Sequence, residues 1–163
     1  MALAIAPFYN VNYAVGAGRP NDRADVMLVQ YFLFHIMINF DGWRKNRGNW
    51  TPAAPNIGPA AIFPYTGVYT PELTQWIRCF QRTANERGDG PLATDGVIDR
   101  AHVGWGNPAK PGYGWYTIQA MNRLMWRFNS DAFRNLAEVA DLPAEVKADL
   151  KIQMPYYDGP LRP

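Results

Sequence analysis

With 163 residues, 48% of them hydrophobic and 18% charged, the chain can bury one core without staples, and its composition excludes a disordered polymer. A net charge of +2 provides no polycation for nucleic acid or an acidic membrane surface. A single cysteine, Cys79, excludes an intrachain disulfide.

The first residues, MALAIAPFYN, lack a basic n-region and break their apolar run at Pro7, so they do not read as a secretory signal. The expectation is a product made in the cytoplasm; a target elsewhere requires a dedicated export system or a virion to carry it. Residues 1–20 are apolar but irregular and end in the loop-like Gly16–Pro20. Asn21 or Asp22 is then placed to cap a helix over 23–40, because a short side-chain oxygen accepts from free backbone N–H groups. Val26, Val29, Leu33, Met37 and Phe40 form one apolar stripe, and Leu28, Phe32, Phe34 and Ile36 add apolar surface on other sides. Such a helix belongs in the centre of a core. The apolar run 26–40 is interrupted by Gln30, His35 and Asn39 and is too short and polar to span a bilayer.

Residues 41–66 are rich in Gly, Pro, Asn and Trp and show no helical or strand period, which predicts a long excursion. Thr70 then caps a helix that has Pro71 at its first position, where proline lacks only an N–H that was unpaired anyway. Leu73, Trp76, Ile77, Phe80 and Ala84 are its core stripe, and it runs to about Glu86 before Gly88–Pro91 breaks it. Asp95-Gly96 signals a turn, and a second excursion follows over 102–115. A third helix is predicted over 116–128, with Ile118, Met121, Leu124, Met125 and Phe128 buried. Asp131 is expected to cap a fourth helix through Leu142, and Pro143 to open a fifth over 144–153. There is also an internal echo. Gly67-Val68, followed by Thr70 and a helix, resembles Gly96-Val97-Ile98, followed after the excursion by Thr117 and a helix.

Candidate chemistry is sparse. Asp95, Asp99 and His102 are a possible metal trio on one turn, but zinc needs three or four convergent ligands and only one imidazole is nearby. His35, between Phe34 and Ile36, reads as a core histidine. Cys79 precedes core Phe80 on a helix and reads as a small buried hydrophobe. Glu72, Glu86, Asp89, Asp95 and Asp99 offer carboxylates for hydrolysis, yet Glu72 suits a helix dipole and Asp95 suits a turn. Phosphate-loop, dinucleotide and nucleophile-elbow motifs are missing from the sequence. The arginines at 44–47 and 78–87 form local clusters able to touch anions, or simply solvated surface. Trp43, Trp50, Trp105, Trp115, Tyr113 and Tyr116 lie in or beside the excursions, with Asn46, Asn49, Asn56 and Asn107. Such rings stack on sugars, anchor protein interfaces, or pin loops to helices.

The order of these pieces resembles the peptidoglycan-binding-like three-helix family. That family has a first helix with an apolar-Gln stripe, here Val26-Met27-Leu28-Val29-Gln30. A Gly-apolar-aromatic turn leads into a second helix ending in Phe-Gln, here Gly67-Val68-Tyr69-Thr70-Pro71 running to Phe80-Gln81. An Asp-Gly-apolar-apolar turn precedes a third helix opened by Thr, here Asp95-Gly96-Val97-Ile98 and then Thr117. The glycines permit positive φ at the turns, and Gln30 and Gln81 are placed to satisfy loop backbone at the core edge. The excursions at 41–66 and 102–115, and Asp99 where the family has a second turn glycine, depart from the pattern.

The resemblance implies a mainly α protein: a three-helix bundle over about 22–128 with two long loop insertions, extended by C-terminal helices over 129–163 in one domain. It implies a non-catalytic module that recognises peptidoglycan without a cofactor or metal. The groove would lie around the second helix and its flanking turns, at Tyr69, Thr70, Gln81, Arg82, Asp95 and Gly96. The loop aromatics Trp43, Trp50, Trp105, Tyr113 and Trp115 would be local additions. Two other readings stay open: an assembly protein using the scaffold to hold a protein partner, and a cell-wall hydrolase or toxin.

Overall fold

The computed structural model describes residues 8–38, 55–101 and 116–153. Within them the chain is mainly helical. Five α-helices follow in order: α1 (Arg23–Met37), α2 (Pro71–Glu86), α3 (Thr117–Phe128), α4 (Ser130–Arg134) and α5 (Ala144–Gln153). Short 3-10 turns lie at Pro59–Ala61 and Leu136–Glu138. The described residues form no strand beyond an isolated antiparallel bridge between Val15 and Ile98.

The all-round apolar character of α1 makes it the hub. Val26 through Leu33 are buried, as are Ile36 and Met37, and α2, α3 and α5 all pack against this helix. Its start differs from expectation. Asp22 occupies the N-cap position but makes no side-chain cap bond. Asn21, at φ 53°, turns away and clasps Gly16 instead, its Oδ1 accepting from Gly16 N (2.8 Å) and its Nδ2 donating to Gly16 O (2.9 Å). The loop won the competition for this short amide side chain.

Helix α2 has the predicted bounds. Thr70 Oγ1 accepts from Leu73 N at 3.3 Å, and Pro71 holds the first position. Leu73, Trp76, Ile77, Phe80 and Ala84 are all buried. Helix α3 also matches; Gln119 Oε1 reaches back to accept from Tyr116 N at 3.0 Å, occupying one donor at the helix start. The expected fourth helix is corrected. Asn129, not Asp131, caps α4, its Oδ1 accepting from Ala132 N at 3.2 Å. The helix stops at Arg134, where Asn135 donates its amide to Asp131 O at 3.1 Å. An asparagine that bonds nearby backbone favours leaving the helix, and the 3-10 turn that follows still buries Leu136. Helix α5 begins and ends where predicted.

The irregular N-terminal segment is a buried strap. Phe8, Tyr9, Val11 and Val15 are in the core, and polar side chains stitch the strap's backbone down. Asn122 on α3 accepts from Tyr9 N (2.7 Å) and donates to Tyr9 O (2.9 Å). Asn10 pairs in the same two-way fashion with Ala101 N (3.0 Å) and O (2.7 Å). The fully buried Asp25 carboxylate accepts from Asn12 N and Tyr13 N, both at 2.8 Å. Side-chain amides and a carboxylate thus replace the ladder that a strand would supply.

Candidate functional site

Two glycine corners are built to one plan. At the first, Gly67 has φ 70° and its N–H donates to Gln30 Oε1 at 2.9 Å. Gln30 Nε2 donates to Thr66 Oγ1 (3.1 Å) and Ala61 O (3.0 Å), while Thr66 Oγ1 accepts from Val68 N (3.2 Å). At the second, Gly96 has φ 75° and donates to Gln81 Oε1 at 2.9 Å. Gln81 Nε2 shares its hydrogens among Asp95 Oδ1 (3.2 Å), Val97 O (3.1 Å) and Thr117 Oγ1 (3.0 Å), and Asp95 Oδ1 accepts from Val97 N (2.9 Å). Each glycine sits directly on the helix that carries its glutamine. A Cβ on Gly67 would stand 2.6 Å from Arg23 Cγ and 3.1 Å from Met27 Cγ. A Cβ on Gly96 would stand 2.6 Å from Thr74 Cγ2 and 3.1 Å from Arg78 Cγ. Arg23, Met27 and Gln30 therefore repeat, at the same spacing along a helix, as Thr74, Arg78 and Gln81. The echo seen in the sequence is a repeated turn: in both copies a glutamine accepts from the glycine N–H and donates to the preceding side chain, which accepts from the following valine N–H.

Helix α2 lies between the corners and gathers the expected site residues. Tyr69 and Thr70 are half-buried at its start, and the Tyr69 hydroxyl bonds Thr74 Oγ1 at 2.6 Å. Thr74 in turn touches Gly96, so Tyr69 and the second corner form one surface through a residue that sequence reasoning did not single out. Gln81 and Gly96 are buried in each other's hydrogen bonds; their role there is to hold the corner. Arg82 and Asp95 are exposed beside it. Arg78 was legible only as part of an arginine cluster, yet its stem packs on Gly96. Trp43, Trp50, Trp105, Tyr113 and Trp115 lie outside the described residues.

Elsewhere the reactive groups have structural partners. His35 is buried, with Nε2 3.1 Å from Asp141 Oδ2 and 3.4 Å from the Tyr65 hydroxyl. Tyr31 donates to Asp141 Oδ1 at 3.2 Å. Burial, then the Asp141 charge, pushes both Tyr31 and Tyr65 well above the usual phenol range, so both remain protonated donors. In this cluster the carboxylate faces solvent and the imidazole is sealed, the reverse of what a histidine needs to reach a substrate. It ties α1 to the turn before α5. The Cys79 thiol is pushed up by burial, which keeps it away from the thiolate a nucleophile needs. Asp89 is buried with Arg127 Nη1 3.8 Å away. Among the described residues, no three His, Cys, Asp or Glu side chains converge as a metal would need; His102 of the expected trio lies outside them. Nor is any described helix long and apolar enough to cross a membrane.

No protein-family model, curated protein or solved structure matches the chain.

Proposed function

We propose that the chain is a non-catalytic recognition module of the peptidoglycan-binding-like kind, with its binding face on α2 between the two glycine corners. The observation that carries the reading is the duplicated Gln–Gly corner. Gln30 with Gly67 and Gln81 with Gly96 are the residues on which the family resemblance rests, and they make equivalent bonds. Those bonds hold the Gly67 turn to α1 and the Gly96 turn to α2, and a preorganised surface binds at lower entropic cost. Tyr69, Thr70, Arg82 and Asp95 line that surface; Gln81 and Gly96 set its shape. The groups it offers are hydroxyls, a guanidinium, a carboxylate and one aromatic ring, which suit a polar glycan or peptide.

The test is a pull-down on purified sacculi. The expected result is retention at low salt that falls for Tyr69→Ala; a chain that stays in the supernatant overturns the reading.

A second reading, an assembly protein holding a protein partner, has its own observation. Phe63 is 48% exposed while stacking on Phe34 at 4.7 Å and meeting Tyr65 edge-on at 5.6 Å. An exposed ring backed by other rings is the make-up of an interface anchor. Sedimentation distinguishes this reading: it requires self-association or a stable complex that Phe63→Ser abolishes without lowering the melting temperature.

A further inference from the structure

The strap is anchored on both sides of one exposed stretch. Val11 and Val15 are fully buried, and Val15 exchanges two backbone bonds with Ile98 at 3.0 Å and 2.8 Å. Between them Asn12 and Ala14 are half-buried and Tyr13 is 58% exposed. Asn12 N and Tyr13 N donate to the two oxygens of Asp25, Asn12 Nδ2 donates to Asp149 Oδ1 on α5 at 2.9 Å, and Ala14 O accepts from Asn21 N at 3.2 Å. Little apolar surface is at stake here, so the stretch can lift as a local opening while Val11 and Val15 stay seated.

Beneath it lies a carboxylate without a cation. Asp25 is fully buried, its hydrogen bonds are those two N–H groups, and among the described residues no Lys or Arg pairs with it. The charged groups that bear on it are anions, Asp149 from α5 and Asp22 at the start of its own helix. Arg23 is turned to Glu145 and Thr66 O, and the strap from Phe8 to Gly18 carries no charged side chain. Two N–H dipoles favour the charged form, but complete desolvation and two like charges oppose it. The balance raises this carboxyl to about 6. When the stretch lifts, water reaches Asp25 and the charged form loses its penalty. Proton and closed stretch therefore stabilise each other.

We infer that residues 12–14 are a proton-operated latch, closed over a neutral Asp25 in mild acid and lifting increasingly as Asp25 ionises. The device is separate from the face on α2 and makes the surface formed by the strap and α5 sensitive to pH.

The experiment is amide hydrogen exchange of the full chain, resolved by residue, divided by the intrinsic rate at each pH, and run where reclosing outpaces exchange. With Asp25 back at its usual 3.8 in the open form, protection at the Asn12 and Tyr13 amides should fall about thirtyfold from pH 4.5 to pH 7.5. At each pH these two amides should exchange faster than that of Val15, whose bond to Ile98 stays closed. Asp25→Asn should flatten the profile. Asp149→Asn keeps an acceptor for Asn12, lies away from the core and removes one anion, so it should move the fall to lower pH; it serves even where Asp25→Asn does not fold. A flat profile in the parent, a fall that survives Asp25→Asn, a fall that Asp149→Asn leaves in place, or Asn12 and Tyr13 exchanging no faster than Val15 would each overturn the inference.

Discussion

Gln81 concentrates more hydrogen bonding than any single apolar side chain could replace. Leucine matches it in size but would strand the Gly96 N–H and deprive Val97 O and Thr117 Oγ1 of their donor. Buried unsatisfied groups cost about 1–3 kcal/mol each, so Gln81→Leu should lower unfolding free energy by roughly 2–4 kcal/mol, read from urea midpoints. Gln30→Leu should behave similarly, because its carboxamide does the same work at Gly67. Asp25 makes a prediction about pH. Burial pushes its carboxyl from 3.8 up to about 6, against the Asn12 and Tyr13 N–H groups that pull it down, with Asp149 and Asp22 adding to the rise. The folded chain therefore holds a proton that the unfolded chain has released. The stability linked to Asp25 is full below about pH 4 and is lost as pH rises through about 6. The shift corresponds to about 3 kcal/mol at most. Comparing Asp25→Asn with the parent at pH 4.5 and pH 7 checks the sign: the parent's advantage should be larger at the lower pH.

At the scale of elements, local signals were read correctly wherever they agreed with packing. Thr70-Pro71 opens α2 and the stripe from Leu73 to Ala84 fills the core, so sequence and structure give that helix the same ends. Thr70→Ala should cost about 1 kcal/mol in thermal or urea unfolding, because Leu73 N loses its side-chain acceptor. The glycine corners were legible because positive φ needs glycine and the two copies repeat a motif. The 130–142 segment was not. Its apolar positions suit a helix, but Asn129 and Asn135 bond nearby backbone and divide it. At the candidate site, the family pattern pointed to Tyr69, Thr70, Arg82 and Asp95, which the structure sets at the start of α2, on its exposed side and at the Gly96 corner. Thr74 and Arg78 were missed because their importance comes from contact with Gly96, and no period or motif encodes that neighbour.

Across the whole molecule, the strap was the least legible part, since most of its partners lie far along the chain: Ile98, Ala101, Asn122, Phe133 and Asp149. Burying Phe8, Tyr9, Val11 and Val15 stabilises by about 1.5–3 kcal/mol each, against a total of about 5–15 kcal/mol for a typical domain. Deleting residues 1–16 should therefore leave a chain without fixed tertiary packing, visible as lost near-ultraviolet circular dichroism and gained dye binding while helical signal partly persists. The same arrangement has a consequence for synthesis. The strap is translated about a hundred residues before α3, on which Asn122 holds the Tyr9 backbone. Until Asn122 emerges, the Tyr9 backbone lacks its partner and only the bonds to Asp25, Ile98 and Ala101 hold the strap, so closure of the core is a late, long-range step, and a nascent chain halted before that point should be open to protease and to chaperones.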